Sequence, residues 1–124
     1  MQLSHINNVL HVEDEVLIAL DVETILLEAG VKRVNHVATR SDAFMAIESS
    51  RPDAVILDIE VLDGSTAGIA ELLKARSIPF IVYSGSASDG SERSYVGAVS
   101  LDKPAKDADL VGALMSVVTG SLRS

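Results

Sequence analysis

Residues 52–58 read PDAVILD and give the clearest structural signal in the sequence. Four consecutive apolar residues lie between the chain-breaking pair Pro52-Asp53 and the acidic Asp58. A run of that length and character is typical of a strand buried on both faces, as in a parallel sheet covered by helices. Similar runs recur along the chain, and the predicted strands are residues 9–12, 34–38, 54–57, 80–83 and, more weakly, 98–101.

Longer stretches of helical composition separate these runs. Asp14 is placed to cap the first helix and Gly30 to close it, and Thr39 or Ser41 can cap the second. Residues 84–94 are rich in serine and glycine and predict at most a short helix. The tail at 120–124 is expected to fray. The first and third predicted helices are residues 16–29 and 66–76. The second follows its Thr39 or Ser41 cap and runs to about Ser50, and the last, which Pro104 starts or precedes, runs to about Val118.

The alternation of strand and helix, five times over, predicts one α/β domain. Parallel strands joined by right-handed crossovers leave few arrangements, and the doubly wound strand order 2-1-3-4-5, the flavodoxin-like (βα)5 fold, is favoured. A length of 124 residues fits a single domain. We expect its ordered core to span residues 7–119.

Composition excludes several classes of function. The chain carries 18 acidic and 10 basic residues, a net charge of −8, so it lacks the basic surplus needed to bind a nucleic-acid backbone. The absence of cysteine rules out disulfides, thiolate metal sites and cysteine nucleophiles. No apolar run is long enough to span a membrane, and residues 1–10 do not read as a secretory signal. We therefore expect a cytoplasmic protein that binds neither membranes nor nucleic acids.

Polar residues follow four of the five predicted strands. Glu13 and Asp14 come after the first strand, Asp58 after the third, Ser84 after the fourth and Lys103 after the fifth. The carboxyl ends of parallel strands meet at one edge of the sheet, which is where such sheets bind ligands. Three carboxylates held together repel one another, and a hard divalent cation relieves the conflict. Few protein oxygens with retained waters suit Mg²⁺.

In this order and spacing, these segments resemble the receiver domains of response regulators in two-component signalling. The matching segments are residues 9–15 (VLHVEDE), 54–58 (AVILD), 63–64 (DG), 84–85 (SG) and 103–104 (KP). The resemblance covers nearly the full length of the chain. It implies a phosphoacceptor domain that acts as a stand-alone regulator or phosphate shuttle, with no output domain in this chain. It also implies no enzymatic activity beyond the domain's own phosphorylation and dephosphorylation.

The resemblance also implies a role for each residue of the cluster. Asp58 would accept a phosphoryl group from a phosphohistidine, Ser84 would hydrogen-bond that group and Lys103 would pair with it. Asp14 and Asp58 would coordinate Mg²⁺, joined by Glu13 directly or through water. The backbone carbonyl of Glu60 would be a further ligand, and the Lys103-Pro104 peptide bond would be cis.

Two features depart from the family pattern. Receivers usually carry Phe or Tyr three residues before the conserved lysine, but this chain has Ser100 there, so the usual aromatic switch cannot operate. Tyr83 and Tyr95 are candidate substitutes, although neither has the usual position. Residues 78–85 (IPFIVYSG) partly resemble an atypical receiver subgroup with a Pro-Phe…Thr-Gly-Tyr signature, with Ser84 for Thr and Ser86 for Tyr.

The first predicted helix has more apolar residues than one core-facing stripe needs. In receivers this helix docks the four-helix bundle of a histidine kinase or histidine phosphotransferase. Ile18 and Val22 lie one turn apart near the polar edge, and we expect them to form the docking surface. The alternative is a helix buried more deeply than usual. We expect a monomer or a weak homodimer.

Other interpretations stay open at this stage. A pseudo-receiver would keep the fold as an interaction module without regulation by phosphorylation. An aspartyl phosphatase would need a hydroxyl at position 62, which is Leu62, and nucleotide binding would need a glycine-rich loop after the first strand. His11 is expected to be a packed, neutral imidazole. His5 and His36 receive no function, and Gly64 is expected to be a turn glycine.

Overall fold

A computed structural model describes residues 3–85 and 93–123. Its elements follow one another as strand and helix, interrupted by one short hairpin and one 3₁₀ turn. They are β1 (Asn8–Val12), α1 (Val16–Glu28), β2 (Arg33–Val37), α2 (Arg40–Ser50), β3 (Ala54–Leu57), β4 (Glu60–Val61), β5 (Gly64–Ser65), α3 (Ala67–Ala75), β6 (Phe80–Ser84), the 3₁₀ turn Arg93–Tyr95, β7 (Val99–Asp102) and α4 (Asp107–Arg123).

Five of the strands form one parallel sheet in the order β2-β1-β3-β6-β7. The predicted fold class and strand order are therefore confirmed. Leu57 of β3 is level with Val12 of β1 and with Val82 of β6, so these three strands end close to the same line. This register brings the residues that follow them to one edge of the sheet.

Helices cover both faces of the sheet, and each face has its own apolar core. Along β3 the four residues alternate between the two cores, which is why the whole strand is apolar. One core contains Val22, Ile56 and Leu114, and the other contains Leu57, Leu73 and Phe80. The strands at the centre of the sheet are thus the most deeply buried, and β1 and β3 carry the acidic residues of the polar cluster at their ends.

The start of α1 differs from the predicted one. Glu15, not Asp14, is the N-cap residue, and no side chain caps the helix. The backbone N–H of Glu15 instead donates to Oε2 of Glu13 at 3.1 Å. The predicted Asp14 cap is therefore wrong, and the Asp14 carboxylate remains available to the polar cluster. The Thr39 cap of α2 is confirmed, since its hydroxyl accepts the N–H of Asp42.

A short antiparallel hairpin, β4–β5, follows Asp58 and was not predicted. Asp63 fastens it to the start of α2, where its carboxylate accepts the N–H of Arg40 at 2.6 Å and of Ser41 at 3.3 Å. Gly64 has a φ of +121°, which favours glycine and confirms the expected turn position. The helix after the hairpin begins at Ala67 rather than at residue 66.

The ends of the domain extend beyond the predicted limits. Leu3 and Ile6 are fully buried in the core, so the core begins before residue 7. Pro104 precedes helix α4, as one of the two predicted alternatives has it, and the helix continues to Arg123, past the predicted end at Val118 and through most of the tail expected to fray. The expectation for Ser86 falls outside the described residues. Among those described, no helix is both long and apolar enough to cross a membrane.

Candidate functional site

The polar cluster forms where the central strands end. Glu13 continues β1, and its N–H donates to the carbonyl of Val37 at 2.9 Å. Asp58 continues β3, and its N–H donates to the carbonyl of Val12 at 3.1 Å. Both acidic residues therefore have their main chains tied to a neighbouring strand. The sheet itself positions these carboxylates at the edge predicted from the sequence.

Three carboxylates meet at this edge. Glu13, Asp14 and Asp58 can each direct one oxygen so that all three lie within 4.8 Å of one another. Glu13 and Asp58 are buried and Asp14 is half-buried. The structure thus brings together the three side chains that the sequence predicted as metal ligands. Whether the carbonyl of Glu60, which lies in β4, joins them stays a prediction.

The ammonium of Lys103 lies against two of these carboxylates. Its Nζ donates to Oδ2 of Asp58 at 2.7 Å and lies 2.5 Å from Oε1 of Glu13, with the Lys103 side chain only 10% exposed. The N–H of Lys103 donates to the carbonyl of Ser84, which aligns the end of β7 with the end of β6. The predicted cis bond between Lys103 and Pro104 is confirmed.

The charges in the cluster shift the ionisation of its members. Burial favours the neutral form of Lys103, but the hydrogen bond to Asp58 and the contact with Glu13 outweigh it, so its pKa is raised. Burial raises the pKa of Glu13, an effect that its contact with Lys103 opposes. Oε1 of Glu13 lies close to the ammonium but has no partner with hydrogen-bond geometry among the described residues.

The donor set fits a hard divalent cation. Three carboxylates and one ammonium leave an excess of two negative charges in a largely buried space. The carboxylates of Glu13, Asp14 and Asp58 can each direct one oxygen to a common point, so that a single ion could contact all three. Carboxylate oxygens are preferred ligands of Mg²⁺, which retains several waters and needs few protein ligands.

Ser84 occupies the predicted position beside this cluster. It is the last residue of β6, is buried, and is level with Asp102 of β7. Ser100 lies earlier in β7 and is exposed, so no aromatic ring stands at the usual switch position. Tyr83 is buried, and its hydroxyl accepts the N–H of Ala105 while Lys103 Nζ lies 5.9 Å from its ring centroid.

Two histidines lie close to Glu13, His11 near its carboxylate and His36 at its backbone carbonyl. His11 is fully buried, and burial, with smaller effects from His36 and Lys103, lowers its pKa to about 3. The expectation of a packed, neutral imidazole is confirmed. His36, which received no function from the sequence, lies with Nε2 2.5 Å from the Glu13 carbonyl oxygen, to which it donates. No sequence spacing marks this contact, because it joins neighbouring parallel strands.

Two hydroxyl groups that the sequence did not indicate lie near the main chain of Asp58. Oγ1 of Thr66 lies 2.5 Å from the carbonyl oxygen of Asp58 and 2.8 Å from Oη of Tyr95. Thr66 was assigned to the first turn of a helix, and Tyr95 was considered only as a substitute for the missing aromatic. Their contact joins segments 29 residues apart, which no local pattern reveals.

Of the two docking residues expected on α1, Val22 lies in the core and Ile18 is only partly buried. Val22 is 1% exposed and packs in the core, and Ile18 is partly buried against the same core. The expectation for Val22 is therefore wrong, because it lies on the same helix stripe as the buried Ala19 and Leu26. The large apolar residues that α1 does expose are Val16, Leu17, Leu20 and Leu27.

No protein-family model matches the chain. Among curated proteins, the transcriptional regulatory protein PdtaR of Mycobacterium tuberculosis is 34% identical over 116 residues. That match covers 90% of this chain and 56% of PdtaR. The chain thus spans about half the length of PdtaR. A match to the phyllosphere-induced regulator PhyR of Methylorubrum extorquens covers 28% of that protein.

Solved structures match over nearly the whole chain. SdrG from Sphingomonas melonis Fr1 is 32% identical with a TM-score of 0.81, and the match covers 94% of this chain and 98% of SdrG. The receiver domain of the sensor histidine kinase PA1611 from Pseudomonas aeruginosa PAO1 is 26% identical with a TM-score of 0.78, covering 91% of this chain and 98% of that domain. Its structure has a magnesium ion coordinated in the active-site cleft.

Proposed function

This chain belongs to the response-regulator receiver family, and on that premise we propose that Asp58 accepts a phosphoryl group from a phosphohistidine of a partner protein. One observation carries the proposal. The Asp58 carboxylate lies with those of Glu13 and Asp14 and accepts a hydrogen bond from the ammonium of Lys103, at the edge where the strands end. That is the arrangement an acceptor of a highly charged group requires.

The chemistry asks little of the protein beyond alignment and charge. A carboxylate oxygen of Asp58 attacks phosphorus, the bond between phosphorus and the histidine nitrogen breaks, and the leaving imidazole takes up a proton. Such transfers pass through a loose, in-line transition state with charge on the equatorial oxygens. A carboxylate is already ionised at neutral pH, so no general base is needed.

Lys103 and Ser84 would stabilise the charge on the transferred group. The ammonium already lies 2.7 Å from Asp58 and can contact a phosphoryl oxygen attached there. Strands β1 and β6 flank β3 on opposite sides. Glu13 follows β1 and Ser84 ends β6, so the Ser84 hydroxyl can approach Asp58 from the side opposite to Glu13. Preorganised donors of this kind are the largest contribution to catalysis in most transfers of charged groups.

We assign Mg²⁺ as the cofactor, held by Glu13, Asp14, Asp58 and the carbonyl of Glu60. A bound divalent cation would neutralise the acidic cluster and the oxygens of the phosphoryl group. The charge excess of the cluster and the magnesium ion in the similar receiver domain of PA1611 support this assignment.

The partner we propose is a histidine kinase or histidine phosphotransferase. It would dock against the exposed apolar residues Val16, Leu17 and Leu20, which lie in the first two turns of α1, directly after the segment that carries Glu13 and Asp14. The chain would act in the cytoplasm as a stand-alone regulator or phosphate shuttle, as a monomer or weak homodimer, and catalyse nothing beyond its own phosphorylation and dephosphorylation.

Incubation with acetyl phosphate and Mg²⁺ tests the proposal. Intact-mass spectrometry should show one added phosphoryl group on the wild type and none on Asp58→Asn. Asp21→Asn, which removes the same charge from an exposed position of α1, is the matched control and should be phosphorylated normally. Equal uptake by wild type and Asp58→Asn would contradict the proposed acceptor.

A second candidate function is a pseudo-receiver that binds partners without phosphorylation. The exposed Ser100 favours it, because the usual aromatic readout of phosphorylation is missing. Absence of uptake from acetyl phosphate, from phosphoramidate and from phosphorylated histidine kinases would select this alternative.

A further inference from the structure

A buried chain of hydroxyls connects the 3₁₀ turn Arg93–Tyr95 to the main chain of Asp58. Thr66 and Tyr95 are 0% and 3% exposed, and no water is needed to link them, since their oxygens are in direct contact. We propose that these two side chains are positioning residues, which fix the main chain of Asp58 for phosphoryl transfer. This inference rests on the proposed function of Asp58.

The number of hydroxyl protons determines which group donates in each of these hydrogen bonds. A carbonyl oxygen only accepts, so Thr66 donates its single hydroxyl proton to Asp58 at 2.5 Å, in preference to the Ile59 carbonyl at 3.1 Å. The carbonyl of Ile59 already accepts the backbone N–H of Thr66 at 2.9 Å. Tyr95 then donates to the Thr66 oxygen at 2.8 Å, a shorter contact than its 3.3 Å to Ile59. The bonds run from Tyr95 to Thr66 to Asp58.

Asp58 needs this support because it lies just beyond the end of β3. Its N–H is bound to Val12 of β1, so the sheet still holds that side of the residue. Its carbonyl points away from the ladder and would lose its bond if the Thr66 hydroxyl were removed. With both groups bound, the residue cannot rotate its main chain, and its carboxylate stays aligned with Lys103. Small misplacements of a reacting group cost large factors in rate.

Rates of phosphorylation by acetyl phosphate test the role of the hydroxyl. Thr66→Val removes the donor but keeps the shape of the side chain, and we expect the maximal rate to fall roughly tenfold, within the range that misplacement produces. The Mg²⁺ concentration for half-maximal rate should stay the same, because the carboxylates are untouched. Thr66→Ser keeps the donor and should restore most of the rate. Tyr95→Phe removes only the outer bond and should have a smaller effect.

Ile69→Val provides the control for lost stability. Ile69 of α3 is fully buried, as is Thr66, which precedes the helix. The Ile69 side chain takes no part in the hydroxyl chain. This variant should lower the unfolding midpoint while the phosphorylation rate stays at the wild-type value. A wild-type rate in Thr66→Val would overturn the inference. So would a Thr66→Ser variant as slow as Thr66→Val, since packing of the methyl group would then explain the loss.

Hydrogen exchange keeps this inference separate from the proposed function. If wild type takes up no phosphoryl group, the proposed function fails, but the hydroxyl chain is still testable. Peptides containing residues 58–60 should exchange faster in Thr66→Val than in wild type or in Ile69→Val, with no phosphodonor present. Equal exchange in all three proteins would show that the hydroxyls do not hold the main chain of Asp58.

Discussion

At the scale of single residues, the imidazole of His11 links folding to pH. Its pKa falls from 6.5 to about 3 in the folded protein. Between these two pH values the imidazole is protonated in the unfolded chain but neutral in the folded one. Stability should therefore decrease as the pH falls below 6.5, by up to about 1.4 kcal/mol per pH unit. The raised pKa of Glu13 acts in the opposite direction, since the folded state then takes up its proton first.

Urea unfolding at pH 7.5, 6.5 and 5.5, with a chelator present, measures this effect. His11→Leu removes the titrating group from a fully buried site and should flatten the pH dependence of the unfolding free energy. A His11→Leu variant with the same pH dependence as the wild type would show that another group is responsible.

The charged residues of the site could be predicted from the sequence, whereas the contacts that support them could not. Asp58 and Lys103 were found because strand ends place them at one edge, and a strand end is a local signal. The Asp14 cap was wrong because the nearby Glu13 carboxylate binds the free N–H instead. The bond between Thr66 and Tyr95 depends on tertiary packing, which no local pattern encodes.

At the scale of the element, α1 presents two different faces. Val22 and Leu26 face the core, while Leu17 is 81% exposed beside the acidic cluster. Leu17→Asp should leave the unfolding free energy nearly unchanged, because exposed substitutions away from special features usually alter it by less than about 0.5 kcal/mol. It should slow phosphotransfer from a histidine kinase roughly tenfold or more, as expected where an apolar contact becomes a buried charge.

Acetyl phosphate separates docking from chemistry in this experiment. Leu17→Asp should react with the small donor at the wild-type rate. Met45→Asp, an equally drastic change at an exposed position of α2, should react normally with both donors. A rate loss with acetyl phosphate would mean that Leu17 affects the acceptor and not the docking of a partner.

The elements themselves were predicted unevenly, for a physical reason. The buried strands agree within about one residue, because continuous apolar runs mark them clearly. The β4–β5 hairpin was missed because two-residue strands have no periodicity to detect. The expectation for Val22 was wrong because apolar residues occupy both faces of α1, so composition does not identify the buried face.

At the scale of the whole molecule, the acidic cluster should make stability depend on magnesium. A cation that binds only the folded state stabilises it, by about 1.4 kcal/mol at ten times the dissociation constant. Millimolar Mg²⁺ should therefore raise the thermal midpoint of the wild type. Asp14→Asn should raise the midpoint without metal by relieving repulsion, and should lose most of the response to Mg²⁺.

The control for this measurement is Asp21→Asn, which removes one exposed carboxylate far along α1. It should keep the full Mg²⁺ response, so that non-specific screening can be subtracted. An equal response in Asp14→Asn and Asp21→Asn would argue against a site formed by the three carboxylates.

The negative and positive side chains of the site follow strands at different positions in the sheet. Glu13 and Asp58 extend from interior strands, whereas Lys103 extends from β7, which lies at the rim and exposes most of its residues. Rim strands detach more readily than interior ones. Amides of β7 should therefore lose protection from deuterium long before those of β3. Local opening at β7 is therefore expected to separate the Lys103 ammonium from the carboxylates while Glu13 and Asp58 stay in place.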